Sequence, residues 1–231
     1  YNISERRNDN SSGRLTPSDW ERVPVDSLRE YYAVSERMTP DQVSYVSAAA
    51  ITFGLDPYMM FALVNEESRG EVGAKNGLSS AGGLLQLTTG AVLDAKKFLK
   101  SEVDRMTITN DEKTALKDRI DGLDKNQFKQ SVLLSCAYLK YIGNLRGKGC
   151  SGPELTKIIV KHYKAGPFQM DQNELKKTDN YVYRVMDVDM HNIRRAYPVI
   201  ADCSRQPVVQ SGTILASFNS LYGTPCKVLD S

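Results

Sequence analysis

The sequence has little of what metal centres, redox motifs and membrane spans are built from. It holds two histidines, His162 and His191, which are not at metal-ligand spacing. It holds four cysteines, Cys136, Cys150, Cys203 and Cys226, with no C-x-x-C pair among them. A zinc ribbon or a thioredoxin-like motif is thereby disfavoured. No run approaches the roughly 18 consecutive apolar residues that a membrane-spanning helix needs. Neither sign of charge dominates: 30 Lys and Arg stand against 28 Asp and Glu, leaving +2. Without a clustered basic stripe, nucleic acid is not an expected partner, whereas an anionic polymer is compatible with the slight basic excess. No signal-peptide pattern is visible at Tyr1, so the expectation is that any targeting segment has been removed or was never part of the chain. No repeat at a fixed period appears.

What is present is helical punctuation. Residues 1–38 read as a polar, irregular arm with an Asn/Ser/Gly patch at Asn8–Gly13, while Trp20 and the Leu28–Val34 run suggest that its later half docks on something. Thr39-Pro40-Asp41-Gln42 then sets Thr at an N-cap, Pro at the first helical position and Gln at the third, a capping box. That helix is expected to run to Gly54, which suits a left-handed cap. Asp56-Pro57 restarts a helix that ends near Ser68. Further helices are expected over about 89–105, 111–120, 126–145, 152–164 and 179–196. The tail from Pro198 lacks helical period, and Pro207–Phe218 reads as short strands or an extended wrap. The fold class is mainly α: an arm (1–38), a helical domain (39–197) and a C-terminal extension (198–231). Cys136, inside VLLSCAYLKYI, reads as a small core residue. Cys203 and Cys226 flank the tail, where a disulfide would clip it in an oxidising compartment.

One helix end carries the chemistry. Met60, Leu63, Val64 and Glu67 fall at i, i+3, i+4 and i+7, one face of a helix. Glu67 therefore lies on the apolar stripe at its C-terminal edge, and Glu66, about 100° round the helix, reads as solvated. A carboxyl group against an apolar wall is disfavoured in its charged form, so the pKa of Glu67 should rise, as a general acid requires. On this pattern alone both glutamates could equally be solvated residues at a helix end.

Four short motifs weigh on that choice. Glu67-Ser68 is followed by Gly82-Gly83-Leu84-Leu85-Gln86-Leu87, then His162-Tyr163-Lys164-Ala165-Gly166-Pro167, then Thr178-Asp179-Asn180-Tyr181-Val182. In order and spacing these resemble the signature motifs of the soluble lytic transglycosylases and their relatives, the goose-type lysozymes. The resemblance covers roughly residues 40–196, and the apolar stretch Ser131–Ile142 matches the family's central buried helix. It implies a lysozyme-like α domain with Glu67 as the single catalytic acid/base. It implies that Ser68 hydrogen-bonds near Glu67 or to the sugar, that Gln86 contacts substrate beside the scissile bond, that Tyr163 orients Glu67 and that Tyr181 lines the cleft. From the residues alone, Tyr163 and Tyr181 could be half-buried core aromatics, Gln86 a turn cap and Ser68 a routine helix terminus.

The resemblance also implies a reaction: cleavage of the β-1,4 bond between N-acetylmuramic acid and N-acetylglucosamine with formation of a 1,6-anhydro ring, using neither metal nor cofactor. The partner would be the glycan strands of peptidoglycan, and the setting a bacterial envelope (periplasm), a secretion assembly or a phage virion. The chain departs from the family in three places. Lys164 stands where the third motif has Asn, one extra residue lies between Glu67 and Gln86, and the charged stretch Asp94–Lys125 reads as an added surface helical pair. Two other readings stay open. One is a goose-type muramidase, with Asp56, Glu71 or Asp94 as a second carboxylate. The other is a non-catalytic module that binds glycan or builds an assembly.

Overall fold

The punctuation read from the sequence sets the framework. In the computed structural model, which describes residues 19, 21–32, 37–71, 73–74 and 79–198, helix α2 (Pro40–Thr52) opens on the Thr39 capping box, with the Thr39 N–H donating to Gln42 Oε1 at 2.8 Å and the Gln42 N–H to Thr39 Oγ1 at 3.3 Å. It closes at Gly54, whose φ of 66° is left-handed. The Leu55 N–H reaches back to Ala50 O (2.9 Å) and the Gly54 N–H to Ile51 O (2.9 Å), the paired bonds of a Schellman cap. Asp56 caps α3 (Pro57–Glu67), accepting the Tyr58 N–H at 2.8 Å.

Beyond these come α4 (Thr89–Asp104), α5 (Asn110–Asp121), α6 (Phe128–Arg146) and α7 (Gly152–Ala165), each within a few residues of its expected bounds. The protein is mainly α, and no strand occurs among the described residues, which hold one isolated antiparallel bridge, Gly82 to Leu87. Helix α6 is the centre of the fold. Its residues from Ser131 to Leu139, with Ile142 and Gly143, are all buried, Cys136 among them. It packs against α4, α7 and α2, while α3 packs against α2. Burial pushes the Cys136 thiol far above its ordinary pKa, so it is an inert core residue. Helix α4 buries Ala95, Phe98, Leu99 and Val103, so it belongs to the core and is not half of a surface pair. Only α5, with Ile120 as its single buried residue, sits outside.

Three elements differ from expectation. The arm, read as irregular, contains helix α1 (Val25–Tyr32). Leu28 and Tyr32, one turn apart, are buried with Val23, and Arg29 Nε donates to Ala196 O at 3.0 Å. The docking expected of this segment is thus against the helical domain itself. A short α8 (Gln172–Lys176) follows α7, capped by Asp171. The last helix, expected as one α-helix, is instead α9 (Asp179–Tyr183), a π-helical segment (Arg184–Met190) and α10 (His191–Ala196). The π segment packs on α3, and α1 packs on α10. Asn8–Gly13, Trp20, Pro207–Phe218, Cys203 and Cys226 lie outside the described residues. Among the described residues no helix is long and apolar enough to cross a membrane.

Candidate active site

The end of α3 is built to stop abruptly. Tyr58 to Val64 are buried without exception, which fixes the helix in the core. Ser68 caps it: its hydroxyl donates to Val64 O (3.3 Å) and accepts the Gly70 N–H (3.2 Å). Arg69 (φ 52°) and Gly70 (φ 83°) then turn the chain through two successive left-handed residues. This conformation is costly for a residue with a Cβ, so the backbone at Arg69 is strained. Ser68 is 8% exposed and its hydroxyl is engaged with backbone. It therefore fixes the turn after Glu67, the helix-terminus reading of that residue.

The second motif forms the facing wall. Leu84, Leu85 and Leu87 are buried and anchor a loop that several hydrogen bonds tie down. Gly83 (φ 76°) lies so close to α6 that a Cβ there would collide with the Lys125 carbonyl and come within 2.6 Å of Ser131 Oγ. That same hydroxyl accepts the Leu84 N–H at 3.0 Å. Lys125 Nζ donates to Leu87 O (2.8 Å) and to Ser80 O. Gln86, itself left-handed (φ 48°), donates from Nε2 to Ala74 O (2.8 Å) and Gly83 O (2.9 Å). Its amide nitrogen thus braces the loop across the inserted segment, while the residue still lines the cavity beside Glu67.

The two tyrosines are placed the other way round from expectation. Tyr181, at the start of the last helical run, donates from its hydroxyl to Glu67 Oε1 at 2.6 Å. Tyr163 instead donates to Leu85 O, holding the second motif against α7. Both tyrosines stand at their expected helix ends. The helix axes decide which hydroxyl reaches the carboxyl, and motif spacing does not encode that.

Burial, with Glu67 as a nearby negative charge, pushes the phenol of Tyr163 well above its usual pKa. Tyr181 is raised chiefly by burial, then by Tyr163 and Glu67. Tyr138, on α6, is pushed up to about 12, first by burial and then by the Asp94 carboxylate. All three hydroxyls are therefore held as donors near neutral pH.

Glu67, Gln86, Tyr138, Tyr163 and Lys164 share a cavity of about 310 Å³, and Glu67 is the only acid among its described lining residues. A larger cavity, about 510 Å³, lies at the far end of α3. Two carboxylates line it: Asp56, paired with Arg194 at 3.2 Å, and Asp187, exposed on the π segment. Size favours the far cavity, but the meeting of Glu67, Gln86, Tyr163 and Lys164, drawn from three of the four motifs, favours the near one. Asp56 stands a helix length from Glu67, roughly 16 Å at 1.5 Å per residue, too far to act on the same bond.

Sequence reasoning missed the polar layer behind the cavity. Glu66, read as solvated, has a side chain only 9% exposed and pairs with Arg184 Nε at 3.2 Å. Next to it, Asn65 Nδ2 donates to Asp189 Oδ2 (3.2 Å) and the Tyr32 hydroxyl to Asp189 Oδ1 (3.0 Å). Asn192 Nδ2 donates to the Tyr32 hydroxyl at 3.2 Å. Asp189 is fully buried, so these bonds lock the π segment to α3 and α1. An Asp inside an apolar helical face (Val185, Val188, Ile193) was the available signal. Among the described residues no three His, Cys, Asp or Glu side chains converge as metal ligands. Comparison of this chain with models of protein families, with curated proteins and with solved structures finds no match.

Proposed function

We propose that this protein is a peptidoglycan lytic transglycosylase of lysozyme-like fold, cleaving the bond between N-acetylmuramic acid and N-acetylglucosamine through Glu67 alone. The observation that carries the reading is the short hydrogen bond from Tyr181 to Glu67 Oε1 (2.6 Å) at the wall of a cavity whose described lining holds no second acid. A glycosidase of the two-carboxylate kind needs a partner acid about 5–10 Å away across the scissile bond. A transglycosylase needs only one, because its nucleophile is already part of the substrate.

In the proposed reaction the protonated Glu67 gives its proton to the glycosidic oxygen as the bond to the anomeric carbon breaks. The resulting carboxylate then takes the proton of the muramoyl 6-hydroxyl, whose oxygen bonds to the anomeric carbon and closes the 1,6-anhydro ring. Glu67 ends as it began, and no water is consumed. Tyr181 holds Oε1, which leaves Oε2 to carry the proton. Tethering of the 6-hydroxyl supplies the effective concentration that a bound water would otherwise have to provide. The four motifs support the reading by converging here: Glu67 and Gln86 line one cavity with Tyr163 and Lys164, and Tyr181 bonds to Glu67.

A muramidase is the second reading. The observation favouring it is Asp94, whose charge is felt by Tyr138 in the cavity wall. Mass spectrometry of muropeptides released from purified cell walls separates the two. Anhydro-muramoyl ends are the expected product; reducing ends would establish hydrolysis; release of neither would leave a glycan-binding or assembly module.

A further inference from the structure

Lys164 stands one residue from the end of α7, exposed, and lines the cavity that holds Glu67. Its ammonium lies 4.7 Å from the centroid of the Tyr181 ring, so one side of it rests on an aromatic face. The neighbouring cations are occupied. Arg184 pairs with Glu66 (3.2 Å), Lys161 with Asp179 (2.9 Å), and Arg146 Nε donates to Pro167 O (2.6 Å). Lys125 is spent on the carbonyls of the second motif. Among the described residues Lys164 is the one cation lining this cavity. An ammonium carries three donors, and stacking on a ring satisfies none of them with an acceptor. A position near a helix C-terminus explains a positive charge, but not one set over the tyrosine that touches Glu67.

We infer that Lys164 is a specificity residue that binds a carboxylate of the glycan strand beside the scissile bond, an inference that rests on the function proposed above. Muramic acid offers two sources of that group. Its lactyl ether ends in a carboxylate when the strand is denuded of peptide, and the peptide stem brings carboxylates of its own when it is present.

The test is steady-state kinetics and calorimetric binding of the wild type, K164M, K164R and K164E. The substrates are soluble strands in three forms: denuded, peptide-bearing, and denuded with the lactyl carboxylates amidated. An exposed ion pair contributes about a three- to fivefold effect. K164M should raise KM by that factor with kcat within about twofold. K164E should raise it further, K164R should restore it, and amidated strands should not distinguish the variants. The wild-type KM should climb with salt and that of K164M should not. A larger effect on denuded strands assigns the lactyl group, and a larger effect on peptide-bearing strands assigns the stem.

Equal KM for wild type and K164M on all strands would overturn the inference, as would an equal loss on amidated strands. A fall in kcat at constant KM with a displaced pH profile would also do so, since that marks a residue that merely positions Tyr181. If the wild type turns over no strand, the proposed reaction fails separately. Calorimetry then still decides Lys164, by whether binding depends both on it and on the carboxylate.

Discussion

Glu66 and Glu67 are neighbours on one helix, yet they face two different environments. Glu66 points into a closed polar layer, where a guanidinium holds it at 3.2 Å and behind which Asp189, Asn65, Asn192 and Tyr32 complete a buried network. Glu67 points to a cavity, and its partner is a phenol at 2.6 Å. A guanidinium brings a positive charge that favours the ionised carboxylate, whereas a neutral phenol hydroxyl can donate to an oxygen of either the acid or its conjugate base. One side of the helix end is thus closed around an ion pair, and the other leaves a carboxyl facing the cavity in which the proposed reaction would occur. Residue type is the same on both sides; partner chemistry separates structure from proposed catalysis.

The strongest way to break this contrast is to neutralise each carboxyl in turn. Glu67→Gln should leave the fold intact and lower turnover on purified cell walls by about 10² to 10⁴, the range for loss of a general acid. Thermal denaturation alongside the lysis assay checks both halves, and undiminished lysis removes Glu67 from the mechanism. Tyr181→Phe keeps the ring and deletes only the hydroxyl. A hydrogen bond to a charged group contributes up to about 1.5–3 kcal/mol to stability, so the melting temperature should drop by several degrees, and turnover should fall roughly ten- to hundredfold.

Effects on stability come next. Gly83→Ala meets both a left-handed backbone (φ 76°) and the Lys125 carbonyl, and should cost about 3 kcal/mol in denaturant unfolding. Glu66→Gln should cost about 1–2 kcal/mol, less than a fully buried pair because Arg184 is 36% exposed, while turnover stays within a few-fold of wild type. A loss of turnover at Glu66 equal to that at Glu67 would erase the distinction between the two sides.

Near neutrality the smallest expected effect is that of Tyr138, which shows only in alkali. The pKa of Tyr138 is raised in the folded protein from 10.0 to about 12 by burial. The unfolded chain therefore releases this proton first. This phenol adds no pH dependence below about pH 10, and its contribution declines as pH climbs from there toward 12, alongside those of Tyr163, Tyr181 and Cys136, whose folded pKa values are raised in the same direction. Tyr138→Phe should make that decline shallower by one group's share in a series of denaturant titrations, and an unchanged slope would show that the phenol is not held neutral.

The helix framework was legible because its signals are local. Thr39-Pro40-Asp41-Gln42 and Gly54 specify a start and a stop through bonds between residues a few positions apart. The same kind of signal was present and passed over at Pro24 before α1 and at Asp171 before α8. Of the site, the stripe placing Glu67 at the rim of the apolar wall was readable from periodicity. The partners were not. Glu66 and Arg184 are 118 positions apart, Tyr181 and Glu67 114, and the reach of such pairs depends on helix packing. The π turn at Arg184–Met190 was unreadable because one extra residue turns the apolar stripe by about 100°, no more than the width of the stripe itself.

That wide turn governs which changes of chain length the protein can absorb. It sits between Tyr181 on one side and His191–Ala196, clamped to α1, on the other. Deleting one residue from 184–190 would let the wide turn close to an ordinary one while the stretches on either side keep their relative orientation, leaving the Tyr181 hydroxyl on its carboxyl. Substitutions that preserve the residue count there can be absorbed locally. A second deletion there would instead be a frame error of the helix, turning the upstream stretch by about 100° and felt at Glu67 even though every side chain of the cavity is retained.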